Sequence, residues 1–274
     1  NLAKKLKDKF KKARQKMFKN MKPGFLKCKI LKAEPVNSIT GEVVVEQSDF
    51  NLEGRIPFEW NRTWGSHSEY RGALGNGWQS PADIRLEIDS DGQVLFFDGG
   101  PGATVFPDIP LDPHPPWGKA PKDPVNNVVT ELQDGARLML ERGVFSVHTK
   151  DGGIFEFEAL KEKIRRHRPV HTVLRISKIA DTYDNNWRFE RDELGELYRI
   201  TESAGRAIVV QSVKGLIRKL SFYHPEEPSS VRPLLSFEYD AKNNLVGVYD
   251  ALNAPYRFFY KNDKLVQHTD RNGL

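Results

Sequence analysis

The stretch Asp181-Thr-Tyr-Asp-Asn-Asn-Trp187-Arg-Phe-Glu-Arg191 is matched in register by Asp250-Ala-Leu-Asn-Ala-Pro-Tyr256-Arg-Phe-Phe-Tyr260. In both, an acid stands six positions before an aromatic residue, and Arg-Phe follows. A third, partial copy runs Phe237-Glu-Tyr239-Asp240-Ala-Lys-Asn-Asn-Leu245-Val-Gly-Val-Tyr-Asp250. Leu245 and Leu265 are twenty residues apart, as are Asp250 and Asp270, while Tyr239 and Tyr260 are twenty-one apart. The unit is a strand of alternating aromatics (Tyr256, Phe258, Tyr260), a turn built on Asp, Asn or Gly, a shorter strand after Leu, and another Asp-led turn. Each unit is expected to form one β-hairpin whose apolar face needs the next hairpin to cover it, which defines an array. Turn chemistry accounts for Asp181, Asp240, Asp250 and Asp270, because a carboxylate there accepts backbone N–H groups and closes the bend.

Upstream of the array the pattern is also strand-like. In Arg55-Ile-Pro-Phe-Glu-Trp-Asn-Arg-Thr-Trp64, positions 56, 58, 60 and 64 are large and apolar, which predicts a strand with one buried face. Ile84, Leu86 and Ile88 alternate with charged residues, and Ser90-Asp91-Gly92 then turns the chain into Val94–Phe97, a predicted hairpin. Short strands are expected at 137–140, 144–149 and 154–158. Residues 107–124 hold seven prolines and read as a loop without ladder hydrogen bonds. A helix is a candidate only at 159–167 and near the N-terminus. The expected organisation is a basic helix or linker over 1–32, a β-domain over 33–175 containing the proline loop, and hairpin repeats over 176–274.

The net charge of +5 is the sum of two unlike parts. Residues 1–32 carry thirteen Lys or Arg and one acid, +12, so the remaining 242 residues carry −7. Leu6, Phe10, Ala13, Met17 and Met21 lie at spacings of four, three, four and four, one apolar stripe along a helix that Pro23-Gly24 ends. Leu6, Phe10, Met17 and Met21 are therefore candidate contacts to an anionic membrane, a chaperone or another acidic surface. Nucleic acid is not expected as a partner, since the acidic body does not continue the basic track. No run of about 18 apolar residues exists to cross a membrane as a helix, and sixteen Phe, eight Tyr and five Trp argue against disorder. The single Cys28 permits no internal disulfide.

Motifs for chemistry are weak throughout. The seven His form no His-Glu-x-x-His pattern, and Pro169 interrupts the pair His167 and His171. Cys28 has no downstream constellation to serve as its base. Gly72-Ala-Leu-Gly75-Asn-Gly77 lacks the Lys-Ser/Thr of a phosphate loop. Asp181 and Asp184 could hold calcium, but loop capping explains them better. No catalytic residue, cofactor or metal is expected.

Tyr239-Asp240 followed by Asn244-Leu245, the unit ending in Asp270-Arg-Asn-Gly273, and Glu202-Ser-Ala-Gly205-Arg206 resemble the Tyr-Asp repeats of the Rhs family of bacterial polymorphic toxins. Pro35-Val-Asn-Ser-Ile-Thr-Gly-Glu42, Asp49-Phe50, Gly54-Arg-Ile-Pro57, Trp60-Asn-Arg-Thr-Trp64 and Gly72-Ala-Leu-Gly-Asn-Gly-Trp78 are similar to the domain preceding those repeats. The resemblance covers residues 33–274 and implies a mainly β fold, part of a hollow cocoon that encloses a C-terminal toxin. It implies that residues 33–160 form or plug one end. It further implies an upstream PAAR-type tip and secretion spike, type VI secretion, and residence in the bacterial cytoplasm before delivery into target cells. Asp181, Trp187, Gly205, Arg206, Tyr239, Asp240, Leu245, Asp250, Tyr256, Tyr260, Asp270 and Gly273 are the expected structural repeat residues. The family's self-cleaving aspartyl motif has no counterpart, because Asp123-Pro124 lacks the Gly pattern that follows it. The alternative expectation is a secreted or cell-surface carbohydrate-binding module that presents Trp60, Trp64, Trp78 and Trp117 to solvent.

Overall fold

A computed structural model of the chain describes residues 42–100, 102–120, 127–161 and 171–270. The basic segment with Leu6, Phe10, Met17, Met21 and Cys28, most of the candidate helix at 159–167, and Gly273 lie outside the described residues. Within them the chain is almost entirely antiparallel strand. The strands are β1 (Val44–Leu52), β2 (Phe58–Gly65), β3 (Arg71–Gly72), β4 (Gly75–Asn76), β5 (Trp78–Gln79), β6 (Arg85–Ile88), β7 (Val94–Phe97), β8 (Thr104–Phe106) and β9 (Val128–Thr130). They continue as β10 (Arg137–Glu141), β11 (Val144–His148), β12 (Ile154–Phe157), β13 (Thr172–Ala180), β14 (Asn186–Arg191), β15 (Leu197–Glu202) and β16 (Ala207–Val213). The last five are β17 (Leu216–Tyr223), β18 (Arg232–Tyr239), β19 (Leu245–Asp250), β20 (Pro255–Lys261) and β21 (Lys264–Thr269).

Strands β9 to β21 pair in chain order, each with the next, and β6, β7 and β8 branch off through β13, giving a 16-stranded sheet. A second sheet, β1-β2-β5, lies across it. The expected boundary at 175/176 falls inside β13, whose first half pairs with β6 while Ile176–Ala180 pairs with β12. One core runs from Val45 to Phe258 across that point. Prolines keep Pro107–Ala120 out of any ladder, as expected, but the loop is pinned: the Asp112 carboxylate accepts the amides of Arg142 at 3.0 Å and Gly143 at 2.7 Å in the β10–β11 turn.

Five of the hairpin turns share one construction. At Asp89, Asp181, Asp192, Asp240 and Asp250 a carboxylate oxygen accepts the amides two and four residues on, at 2.8–3.0 Å. The residue three positions on is left-handed in every case: Gly92, Asp184, Gly195, Asn243 and Asn253, with φ between 60 and 80°. This is why Gly, Asn or Asp recurs there, since these residues tolerate that region best. Asp181 also accepts the Asn185 side-chain amide at 2.7 Å, and Asp184 pairs with Lys178 at 2.9 Å, so backbone, amide and ammonium groups engage both carboxylates proposed for calcium. Asp240→Ala removes the amides of Lys242 and Asn244 and the Asn244 side chain from one acceptor. It is expected to cost about 1–2 kcal/mol, measured by urea unfolding.

Sequence spacing located the hairpins β14–β15, β18–β19 and β20–β21. It missed β16–β17, which is a full unit joined by a two-residue Lys214-Gly215 turn, both residues left-handed (φ 53 and 78°). Ser212 stands where the other units carry a longer side chain, which hid the copy.

Candidate functional site: a clamped cap on the hairpin array

The apolar face of the array carries Trp187, Phe189, Ile200, Ile208, Ile217, Leu220, Phe237, Leu245, Val248 and Phe258, all buried. The β1-β2-β5 sheet covers it. Phe58 of β2 packs on Trp187 at 4.9 Å and on Phe189 at 6.3 Å between ring centroids. Trp78 of β5 meets Phe258 edge-on at 4.8 Å. Burying such rings contributes roughly 2–3 kcal/mol each.

The cap is fastened at both ends of the sheet, which follows from the meander: successive turns emerge at opposite ends. At one end the Ile56 carbonyl accepts the Trp187 indole N–H at 3.0 Å, and Arg55 reaches Asn185 at 3.5 Å. Gly54 abuts Arg206, which pairs with buried Glu202 at 2.6 Å, so a side chain at 54 would have to displace that pair. At the other end Asn76 donates through its side chain to the Lys242 carbonyl (2.8 Å) and to Asn244 Oδ1 (2.9 Å), inside the Asp240 turn. Gly75, with φ +88°, brings its backbone so close that a Cβ would lie 2.2 Å from the Asn243 oxygen. Between the ends, the Trp78 indole donates to the Tyr260 hydroxyl at 2.9 Å, which in turn donates to the Leu245 carbonyl at 2.8 Å.

Two buried charge centres hold the cap internally. Arg62 is fully buried and makes a two-pronged pair with Asp49 at 2.5 and 3.0 Å, its guanidinium lying 5.2 Å from the Trp78 ring and 5.5 Å from Phe258. Asp83 closes a 3-10 turn (Pro81–Asp83) in a reciprocal cap with Ser80 and accepts the Ala73 amide at 2.7 Å and the Tyr70 hydroxyl at 3.3 Å. Its neighbour Arg85 lies between the Tyr70 and Phe97 rings at 3.7 and 3.8 Å. Burial pushes the Asp83 carboxyl above its ordinary 3.8, more than its hydrogen bonds and Arg85 lower it. Folding therefore favours the protonated acid, and this contribution is fully present below pH 3.8 and lost as pH rises through the raised folded value. Asp83→Asn, which cannot titrate, is expected to trail the parent in stability by more at pH 5 than at pH 8, as read by urea unfolding at the two pH values.

The repeat residues expected from sequence fall into three roles. Asp181, Asp240 and Asp250 close turns, Gly205 is the left-handed residue of another (φ +93°), and Arg206 pairs with Glu202. Trp187, Leu245 and Tyr256 are core, with Tyr256 stacked on Phe258 at 5.3 Å and on His268 at 5.8 Å. Tyr239 and Tyr260 donate to strand carbonyls at 2.7 and 2.8 Å. Asp270 is the last described residue. The solvent-facing tryptophans needed for carbohydrate binding are not there: Trp60, Trp64 and Trp78 are 0, 3 and 0 % exposed, because each stands on a cap strand and is packed inside, and Trp117 is half-buried. Sequence reading missed Arg62, Asp49 and Asp83, whose residue types ordinarily mark surface positions.

Residues 33–106, which contain the cap, match a family model described as Domain of unknown function (DUF6531). Over 247 residues the chain is 24% identical to Double-stranded DNA deaminase toxin A of Burkholderia cenocepacia (strain H111), covering 88% of this chain and 16% of that protein. The chain is thus related along most of its length to a bacterial toxin, of which it spans about one sixth. Its fold is similar to the crystal structure of TcdB2-TccC3-TEV, with TM-score 0.51, 11% identity, and coverage of 88% of this chain and 17% of that one. It is likewise similar to the Photorhabdus luminescens Tc holotoxin pore, with TM-score 0.50, 10% identity, and coverage of 81% and 16%.

Proposed function

We propose that this chain is the capped end of an Rhs-type toxin shell: a non-catalytic β-segment that helps enclose and deliver a C-terminal toxin in competition between bacteria. The observation that carries the reading is the cap: one apolar face of a long antiparallel meander is sealed by a second sheet fastened at both ends of the strands. A meander whose face is closed over in this way suits the capped end of an enclosure built from such sheets. The relation to a bacterial toxin supports the same reading. The partners in this reading are the toxin domain of the same protein, the remainder of the shell, a PAAR-type tip and secretion spike upstream, and a chaperone or membrane at the basic segment. The protein waits in the bacterial cytoplasm and is then delivered into a target cell.

The test is made on the full-length protein. Trp78→Ala loosens the cap and is expected to open the C-terminal region to added protease and to make the gene toxic in a host without an immunity protein. If protease resistance and host survival match those of the parent while the cap is measurably destabilised, the chain does not seal an enclosure.

A further inference from the structure

Asparagine followed by glycine is the dipeptide that loses its side-chain amide most readily in water, because glycine has no Cβ to shield its backbone nitrogen. The chain holds two such pairs, Asn76-Gly77 and Asn272-Gly273, and only the first lies among the described residues. It stands where the cap is fastened to the Asp240 turn.

Neither residue of this pair is free to vary. Gly77 is left-handed (φ +74°), and a Cβ there would lie 2.6 Å from Trp64 Nε1. Asn76 faces two acceptors, and both hydrogens of its Nδ2 are spent on them: the Lys242 carbonyl at 2.8 Å and Asn244 Oδ1 at 2.9 Å. A carboxylate in its place has nothing to donate to either. Asn244 cannot turn its own amide toward that carboxylate without leaving Asp240 Oδ2, which it reaches at 2.9 Å. Asp263 brings a further carboxylate, 3.4 Å from the same Asn244 nitrogen. The fold therefore requires the reactive pair, and docking decides whether it reacts.

Ring closure needs groups that docking holds in place. The Gly77 nitrogen must give up its proton, and in the docked cap that N–H donates to the Tyr70 carbonyl at 2.8 Å. The Asn76 side chain must swing back onto its own chain, away from Lys242 and Asn244. Its backbone is held as well, since the Asn76 N–H donates to the Asn243 carbonyl at 3.2 Å and Asn76 pairs with Arg71 between β4 and β3. Lys242, Asn243 and Asn244 belong to the array, so their hold on Asn76 lapses when this end of the cap lifts.

We infer that Asn76-Gly77 is a deamidation site guarded by the docked cap, and that its reaction makes opening of the cap irreversible. Once the cap lifts, the Gly77 nitrogen bonds to Asn76 Cγ and the Cγ–Nδ2 bond breaks. Nδ2 leaves as ammonia, taking the proton that Gly77 gave up. Water then opens the five-membered imide at either carbonyl, leaving aspartate or, with the backbone rerouted through Cγ, isoaspartate. Neither product carries the side-chain amide that Lys242 and Asn244 accept, so a cap that has opened and reacted cannot refasten. The inference rests on the cap's geometry and not on the shell reading.

The test incubates the full chain at neutral pH and follows deamidation and isoaspartate at Asn76 by mass-spectrometric peptide mapping, which resolves it from Asn272. Asn244→Ala removes one acceptor while Asp240 keeps the backbone amides of its turn. It is expected to speed deamidation of Asn76 about fivefold, the value of one hydrogen bond. The second readout is amide exchange at Ile217, whose N–H donates to the Ala73 carbonyl of the cap at 2.9 Å. Asn76→Asp, one of the two products, is expected to speed that exchange at least about tenfold, since two hydrogen bonds are lost together. Equal deamidation in the parent and Asn244→Ala, or Ile217 exchange in Asn76→Asp no faster than in the parent, overturns the inference. Should Asn244→Ala fail to fold, Tyr260→Phe, which unties Trp78 from the array, takes its place with the same expected rise, and an unchanged rate sinks the inference. Failure here leaves the protease test of the shell unaffected, and the converse also holds.

Discussion

An Asp49→Ala chain unfolds with about 3–5 kcal/mol less stability than the parent, because the mutation leaves the Arg62 guanidinium charged, buried and without its carboxylate. Both side chains are 0% exposed, so solvent cannot take the place of the lost partner. The companion experiment separates charge burial from packing. Replacing the pair together, Asp49→Leu with Arg62→Met, is expected to return stability to within about 1 kcal/mol of the parent. One reason is already visible: Arg62 Nη1 has no acceptor among the described residues, and the double replacement relieves that buried donor. Urea unfolding followed by tryptophan fluorescence reads both. A double variant as unstable as Asp49→Ala would mean that the pair fixes the cap's geometry rather than merely neutralising a charge.

Trp78→Ala carries the second large effect, about 3–5 kcal/mol, since it removes a fully buried ring that touches Phe258 and Arg62 and donates to Tyr260. Trp78→Phe keeps a six-membered ring but loses the pyrrole half with its N–H, so the lost hydrogen bond is expected to cost about 1 kcal/mol on top of the smaller cavity. The loss is also expected to be local in kind. Phe258→Ala in the Trp78→Ala background should cost far less than in the parent, because the two rings share one contact. Additive losses would show that Trp78 holds the cap to something other than β20.

Much of the array was readable because its signals are local. The turn acids, the left-handed position three residues later and the alternating aromatics sit within a single hairpin, and spacing alone exposes them. The β16–β17 unit escaped because Ser212 and a two-residue turn replace both signals at once, although its strand register is that of its neighbours. The cap was not readable in the same way. Arg62 lies in Trp60-Asn-Arg-Thr-Trp64 at an alternation position shared with Phe58 and Trp60, but its charge argues for the surface, and nothing local points to Asp49, thirteen residues away on a neighbouring strand. Likewise nothing local in Gly75-Asn76 announces that its partners are Lys242 and Asn244, more than 160 residues on.

The distance along the chain between cap and array has a kinetic meaning. Trp78 and Tyr260 are 182 residues apart, and Ser66 and Lys264 are 198 apart. At ribosomal rates of about 5–20 residues per second, residues 58–78 wait roughly 10–40 s for β20 to be made. During that wait Phe58, Trp60, Trp64 and Trp78 lack the complete array to cover, and contacts that join partners so far apart in sequence form slowly. The order of synthesis thus leaves a stretch that holds three of the five tryptophans waiting for its cover, and a holding chaperone or slowed translation past Trp78 would raise the yield of folded chain more than any change in the array.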